Sequence, residues 1–284
     1  MRYLVGDLKK TLQGSLTAQV EELQRDRPLT LAVVRMGERP EDLAYERGLR
    51  KSTEAIGMTF EVNALPEDVG LEELKGTIGA LNGRDEVAGV LLFKPLPRGF
   101  DEAAVNEFLD PMKDPDCATA TNQWKVFTGA STIEPATAKS ARYIARDMFQ
   151  SLQGKHVVVV NRSMVIGKPL SMMLLGENAT VTVAHSRTQN LEELVASADI
   201  LITGTGKGHM FGPSFAHPEL AIIDCGISFT EDGMVGDVDT EAVEELVKHV
   251  TPVPGGVGAI TNLCLLENAL LQYREAHSSV GEDH

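Results

Sequence analysis

The chain has 284 residues, 43% hydrophobic and 24% charged, a balance that suits one large or two ordinary globular domains and excludes disorder and coiled coil. Its formal charge is −15, with 26 Lys and Arg against 41 Asp and Glu and no basic run, which argues against nucleic acid and anionic membranes as partners. Three widely spaced cysteines (Cys117, Cys225, Cys264) without a C-x-x-C pair fit a reducing cytoplasm rather than a disulfide framework, and neither they nor seven scattered histidines offer metal-ligand spacing.

From the N-terminus, residues 1–11 carry Asp7, Lys9 and Lys10 with no long apolar stretch behind them, and no window reaches the roughly 18 apolar residues of a membrane span. A soluble, untargeted protein is expected. Short β-branched runs then alternate with helical stretches: strand 29–34, helix 41–56, strand 60–64, helix 71–81 and strand 87–92. Such alternation predicts parallel βαβ units. Pro95-Leu96-Pro97 ends the third strand, residues 111–116 form a second turn-rich break, and 137–149 reads as a linking helix after Pro135.

A second α/β set follows, with strand 156–160, helix 169–175, strand 180–184, helix 191–198, strand 200–203, strand 221–224 and helix 241–247. The Pro/Gly-rich segment 251–258 opens a last helix over about residues 261–273. The expected architecture is therefore two α/β domains, the second a Rossmann-like doubly wound parallel sheet, with a ligand cleft between them.

After strand 156–160 comes Asn161-Arg162-Ser163-Met164-Val165-Ile166-Gly167-Lys168-Pro169, a polar turn with one glycine and a proline close to the first helical position. Such a turn aims backbone N–H groups and a helix N-terminus at the space above the strand, where phosphate is favoured. Any strand-to-helix turn shares some of these features, and G-x-G-x-x-G is absent. In NAD-binding domains a carboxylate about 20 residues on receives the ribose hydroxyls, and a 2′-phosphate there would be repelled by it. Here the next strand ends Ala184-His185-Ser186-Arg187-Thr188, with no carboxylate. Arg162, Ser186 and Arg187 thus favour NADP over NAD. The competing reading is a capped surface loop at 185–188.

These segments, together with Ala198-Asp199-Ile200, Asp224-Cys225-Gly226-Ile227, Gly236-Asp237-Val238 and the run Thr251-Pro252-Val253-Pro254-Gly255-Gly256-Val257-Gly258-Ala259-Ile260-Thr261, occur in one order. The series resembles the methylenetetrahydrofolate dehydrogenase/cyclohydrolase family over nearly the whole chain, including 40–45, 95–97 and 114–116. The resemblance implies a folate-binding catalytic domain of residues 1–136 plus 263–284 and an NADP-binding domain of residues 137–262, in a homodimer that takes a small-molecule folate substrate. It assigns Tyr45 and Asp116 to catalysis and to the folate, and Pro254, Gly255 and Gly258 to the folate as well. Asn161, Arg162, Ser163, Ser186, Ile227 and Thr261 fall to NADP. Side chains at Gly255 or Gly256 would stand between two flat rings that must approach for hydride transfer.

The same alignment exposes departures. The family's lysine, four residues after the tyrosine, falls on Leu49, and the glutamine closing the third strand falls on Phe93. Asn161 replaces the first glycine of the nucleotide turn, and Cys117 replaces a glycine after the aspartate. Oxidising the methylene bridge needs alignment with the nicotinamide, whereas hydrolysing the resulting cation needs proton transfers that leucine cannot perform. The expected activity is an NADP-dependent dehydrogenase with the cyclohydrolase in doubt. Lys94, Arg50 and Lys51 are candidate replacements for the lost cation. Two alternatives stay open: a non-catalytic NADP- or folate-binding regulator, and a dehydrogenase for a modified pterin one-carbon carrier. The sequence has no G-x-S-x-G or H-E-x-x-H motif to support other hydrolytic chemistry.

Overall fold

The structure is a computed structural model that describes residues 1–24, 27–231 and 233–278. In chain order its elements are α1 (Gly6–Leu23), β1 (Thr30–Met36), α2 (Pro40–Ala55), β2 (Thr59–Leu65), α3 (Leu71–Asn82), β3 (Val87–Leu92), α4 (Glu102–Asn106), α5 (Ala120–Thr128) and α6 (Ala136–Phe149). There follow β4 (His156–Val160), α7 (Gly167–Gly176), β5 (Thr180–Ala184), α8 (Leu191–Ala196), β6 (Ile200–Thr203), β7 (Ala221–Asp224), β8 (Ser228–Thr230), β9 (Gly233–Val235), α9 (Thr240–Val243), β10 (His249–Val250) and α10 (Gly258–Ser278). They form two compact units. One contains Met1–Lys10, Val126–Gly129 and Pro135–Cys264, the other Thr11–Lys125, Ala130–Glu134 and the chain from Leu265 onward.

The second of these units is built on a three-stranded parallel sheet of order β2-β1-β3. Strands β1 and β3 are buried along their whole length, which is why β3 and the centre of β1 read as continuous apolar runs rather than alternating ones. Ala32, Val34, Val90 and Leu92 pack against Leu74, Ile78 and Leu81 of α3. Helix α2 starts at Pro40, whose missing N–H costs nothing in the first turn, and buries Leu49 and Thr53.

The first unit holds a five-stranded parallel sheet of order β10-β7-β6-β4-β5. Its core includes Val158, Val160, Leu201 and Ile222 with Phe211, Leu220 and Val243. A separate β8–β9 hairpin follows β7.

The sequence reading did not place α4, α5, β8, β9 or β10, and it began the last helix late; two further differences are instructive. Helix α1 escaped it although Leu8, Leu12, Leu16 and Val20 recur every four residues, the spacing of one helical face; Leu16 and Val20 are buried. The helix expected over 241–247 stops at Val243, because Lys248 N–H bonds Leu220 O (2.9 Å) and β10 then joins β7, forcing the chain to straighten.

Candidate functional site

In the five-stranded unit, Val160 is level with Ala184 of β5 on one side and Thr203 of β6 on the other. The turns leaving these three strands therefore emerge side by side at the carboxyl edge of the sheet, the usual ligand edge of doubly wound domains. Asn161 organises them. Its Oδ1 accepts from the N–H groups of Ser163 (2.7 Å) and Gly167 (3.0 Å), and its Nδ2 donates to Gly204 O (2.6 Å). Ser163 Oγ accepts from Ile166 N–H at 3.1 Å. At Gly167 a Cβ would lie 1.9 Å from Asn161 O, so only glycine lets α7 begin this close to the end of β4. Arg162 and Ser163 are left exposed above a helix start that carries no acidic residue in its first turn.

The adjoining turn is closed on itself: His185 N–H donates to Thr188 Oγ1 (2.9 Å), Thr188 N–H to His185 O (2.8 Å) and Arg187 N–H to His185 Nδ1 (3.2 Å). It is a capped surface loop, and the capping leaves Ser186 and Arg187 exposed beside the Arg162 turn. Two arginines and no carboxylate thus stand where β4 and β5 end. That donor set suits a phosphate monoester beyond the diphosphate.

Two buried carboxylates brace the neighbouring loops. Asp237 Oδ2 accepts from Thr203 Oγ1 (2.8 Å) and Thr205 N–H, and its Oδ1 from Lys207 N–H (3.0 Å). Asp224 accepts from Gly226 N–H (2.8 Å) and Val238 N–H (2.9 Å). A Cβ on Gly226 would fall 2.2 Å from Asp237 Oδ1, and one on Gly236 would fall 2.1 Å from Asp224 Oδ2. Each acid lies over the other's glycine. Burial, with Asp237 adding to it, pushes the Asp224 carboxyl up to about 6 despite those N–H donors. Sequence reading used these residues only as family markers; the bracing role is legible only in three dimensions.

Ile227 is 53% exposed just before β8. Thr261, on the first turns of α10, donates its hydroxyl to Val257 O (3.0 Å). Pro254 follows a cis peptide bond, and Gly255 has φ +107°, a backbone state that side-chain-bearing residues rarely adopt. At Gly256 a Cβ would meet Pro252 O at 2.5 Å, while Gly258 opens α10 with free space where a Cβ would stand. The diglycine thus has a backbone reason of its own, beside the clearance argued from sequence.

The three-stranded unit brings together Tyr45, Phe93 and Asp116. Tyr45 projects from α2 with 41% exposure, and its ring meets that of Phe93 at 5.3 Å between centroids, tilted by 46°. Leu49, one turn later, is 0% exposed and Phe93 is 4% exposed. The two positions expected to have lost polar groups are core. Partial desolvation against Phe93, then the charge of Asp116, holds the Tyr45 phenol above its ordinary value, so it stays protonated at neutral pH.

Asp116 is set by its loop. Asp114, fully buried, accepts from Ala118 N–H (2.9 Å), Thr119 N–H (2.9 Å), Thr119 Oγ1 (2.8 Å) and Asn122 Nδ2 (2.9 Å). Asn268 Nδ2 on α10 donates to Pro115 O at 2.8 Å, and Gly89 in β3 leaves room for Pro115, whose Cγ would lie 3.0 Å from a Cβ there. Cys117 takes φ +57°, which explains why glycine suits this place. Withdrawal from water raises the Asp116 carboxyl to about 6, with Lys94 opposing and Asp114 assisting. Gly89 and Asn268 were missed in the sequence, and Asp114 was read only as part of the 114–116 resemblance, because a buried polar brace leaves no periodic signal.

Of the candidate cations, Arg50 is committed elsewhere: it lies 3.7 Å from both Glu46 and Glu54 and over the Phe60 ring. Among the described residues no group of His, Cys, Asp and Glu could hold a metal ion, and no helix is long and apolar enough to cross a membrane.

Residues 5–116 match a family model described as the tetrahydrofolate dehydrogenase/cyclohydrolase catalytic domain, and residues 135–277 match its NAD(P)-binding domain. The chain is 40% identical over 262 residues to bifunctional protein FolD 1 of Desulfitobacterium hafniense, covering 91% of this chain and 93% of that protein. It is 42% identical over 242 residues to bifunctional protein FolD of Clostridioides difficile, with 84% of each chain covered. Among solved structures, the FolD methylenetetrahydrofolate dehydrogenase/cyclohydrolase of Campylobacter jejuni superposes with a TM-score of 0.91 at 30% identity, covering 95% of this chain and 97% of the other. The Trypanosoma brucei enzyme, solved with NADP and an inhibitor, gives 0.91 at 29% identity over 97% and 98%.

Proposed function

The chain belongs to the tetrahydrofolate dehydrogenase/cyclohydrolase family, and from that premise we propose that it oxidises 5,10-methylenetetrahydrofolate to the methenyl form with NADP and does not hydrolyse the product. NADP, when bound, accepts the hydride. What the chain contributes is placement. Arg162, Ser163 and Ser186 hold the adenosine 2′-phosphate and the neighbouring phosphates at the ends of β4 and β5, while Ile227 and Thr261 flank the nucleotide. The single observation that carries NADP is this edge: paired turns, two exposed arginines and no carboxylate from 184 to 188.

Tyr45 and Asp116 hold the pterin, the first as ring surface and hydroxyl donor, the second as acceptor of pterin N–H groups. Pro254, Gly255 and Gly258 flank the folate with little or no side chain. Hydride loss leaves a cation shared by two nitrogens, so this step asks no proton of the protein. Hydrolysis does: water must lose a proton and a ring nitrogen must gain one. Leu49 and Phe93 supply neither, and the phenol of Tyr45 is no base at neutral pH.

A cytoplasmic homodimer completes the reading, supported by widely spaced cysteines with no C-x-x-C pair and by Phe229 (73% exposed) and Met234 (41% exposed) on the β8–β9 hairpin. Incubation with methylenetetrahydrofolate and either NADP or NAD, followed by nicotinamide absorbance, tests the reading. NADP reduction is expected; tight cofactor binding with no turnover at high protein concentration would favour a non-catalytic regulator instead.

A further inference from the structure

Arg35 stands next to last in β1, a strand otherwise apolar from Leu31 to Met36. Ala32, Val34 and Met36 belong to the core on the α3 side, so the alternation of a strand turns Arg35 to the opposite face. There its Nε donates to Glu46 Oε2 of α2 at 3.0 Å and its Nη1 to Gly37 O. The two side chains of this ion pair are only 7% and 15% exposed. Taking both charges out of water offsets much of their attraction, and two apolar side chains of similar size would fasten a helix to a sheet about as firmly. What the charged pair adds is direction, because it fixes one atom of α2 against one atom of β1.

Direction matters in this half of α2. From Pro40 to Gly48 the helix buries only Asp42, which is tied to Arg39 just before the helix (2.8 and 3.1 Å); Leu49 and Thr53, which anchor it in the core, come later. Among the described residues, the bond from Arg35 to Glu46 is the one side-chain hydrogen bond that joins residues 40–48 to the sheet. Tyr45 belongs to this stretch, partly exposed, with its ring tilted against Phe93. Phe93 N–H in turn bonds Val34 O (3.0 Å), the residue before Arg35. The contacts therefore close a circuit from Val34 to Phe93, from Phe93 to Tyr45, along α2 to Glu46, and back to Arg35.

We propose that Arg35 and Glu46 are positioning residues for Tyr45: their ion pair fixes the rotation and height of the first half of α2 against β1, and so sets the Tyr45 ring where the pterin rests on it. The proposal rests on the folate reading of Tyr45 given above. In this role neither residue exchanges a proton or meets the reacting atoms. Without the pair α2 stays anchored by Leu49 and Thr53, but its first turns are free to roll and the Tyr45 ring loses its fixed tilt.

The test uses the whole enzyme labelled with 3-fluorotyrosine, the Tyr45 resonance being identified among the four tyrosines by its loss in Tyr45→Phe. Wild type is compared with Arg35→Met, with the double variant Arg35→Met/Glu46→Met, and with Glu46→Gln, which still offers Arg35 Nε an oxygen. In the first two the Tyr45 resonance should shift and broaden, and KM for methylenetetrahydrofolate should rise roughly tenfold while kcat and KM for NADP stay within about twofold. Glu46→Gln should keep the wild-type resonance and a KM within about twofold. If the double variant does not fold, Arg35→Met gives the same two readings, since Glu46 there still has Arg50 at 3.7 Å. A Tyr45 resonance unchanged in the folded variants overturns the proposal. So does a resonance that moves with no change in KM, or a KM for NADP raised as much as that for the folate, which marks general loosening. A wild-type protein with no turnover would remove the folate reading instead, and the fluorine resonance would still decide whether the pair sets Tyr45.

Discussion

Tyr45 and Phe93 lie ring against ring, 5.3 Å between centroids, and Leu49, four residues after Tyr45 on α2, is fully buried. Apolar side chains thus fill the two positions at which the family resemblance implies a lysine and a glutamine. Reintroducing a lysine should therefore meet core rather than a waiting pocket. Leu49→Lys is expected to lower the unfolding free energy by no less than Leu49→Ala, about 2–5 kcal/mol, in urea denaturation. A Leu49→Lys protein as stable as the wild type would mean that the position opens onto solvent.

Coenzyme choice depends on the edge where β4 and β5 end. Arg162→Ala should raise KM for NADP by roughly 10–100-fold, the value of one or more charge-assisted hydrogen bonds, while leaving KM for NAD nearly unchanged. Ser186→Asp should move the preference the same way by repelling the 2′-phosphate and accepting from a free ribose hydroxyl. Parallel steady-state titrations with the two coenzymes read both. Equal losses with NADP and NAD would place the 2′-phosphate elsewhere.

Asn161 acts from beneath that edge. Its three hydrogen bonds join the turn after β4 to the start of α7 and to Gly204. Asn161→Ala should cost about 1–3 kcal/mol of stability and raise KM for NADP about tenfold with kcat little altered, since the phosphate donors would be present but no longer held. Chemical denaturation and kinetics on one preparation check the pairing of the two effects; a destabilised variant with an unchanged KM would confine Asn161 to folding.

The reciprocal acids predict a pH dependence. Asp224 is held near 6 against an ordinary 3.8, so the folded protein binds its proton more tightly than the unfolded chain does. Its contribution to stability is full below the unfolded value and is lost as the pH rises through about 6. The stability of the wild type relative to Asp224→Asn should accordingly fall by about 1 kcal/mol between roughly pH 5 and pH 8, as measured by denaturation at each pH. A difference that grew with pH would reverse the assignment of the raised carboxyl.

What could be read in advance follows from what leaves a pattern. The strands 87–92, 156–160, 200–203 and 221–224 were bounded correctly because buried parallel strands are largely apolar runs ended by turn residues, and 180–184, a half-exposed edge strand, because its valines alternate with threonines. The short α9 was overextended because the pairing of β10 with β7, a tertiary event, ends it. Leu49 and Phe93 stood out by alignment, yet only packing shows that they are core rather than a greasier pocket. The roles of Asp114, Asn268 and Gly89 depend on which loop each one touches, and that is fixed by partners up to 153 residues away.

The most direct test of the account follows NADPH and the methenyl chromophore together as purified protein turns over methylenetetrahydrofolate. The two products should appear in equal amounts, and the methenyl signal should then decay no faster than in buffer alone. No NADPH, or methenyltetrahydrofolate consumed in proportion to added protein, would contradict a dehydrogenase whose hydrolytic corner has been closed.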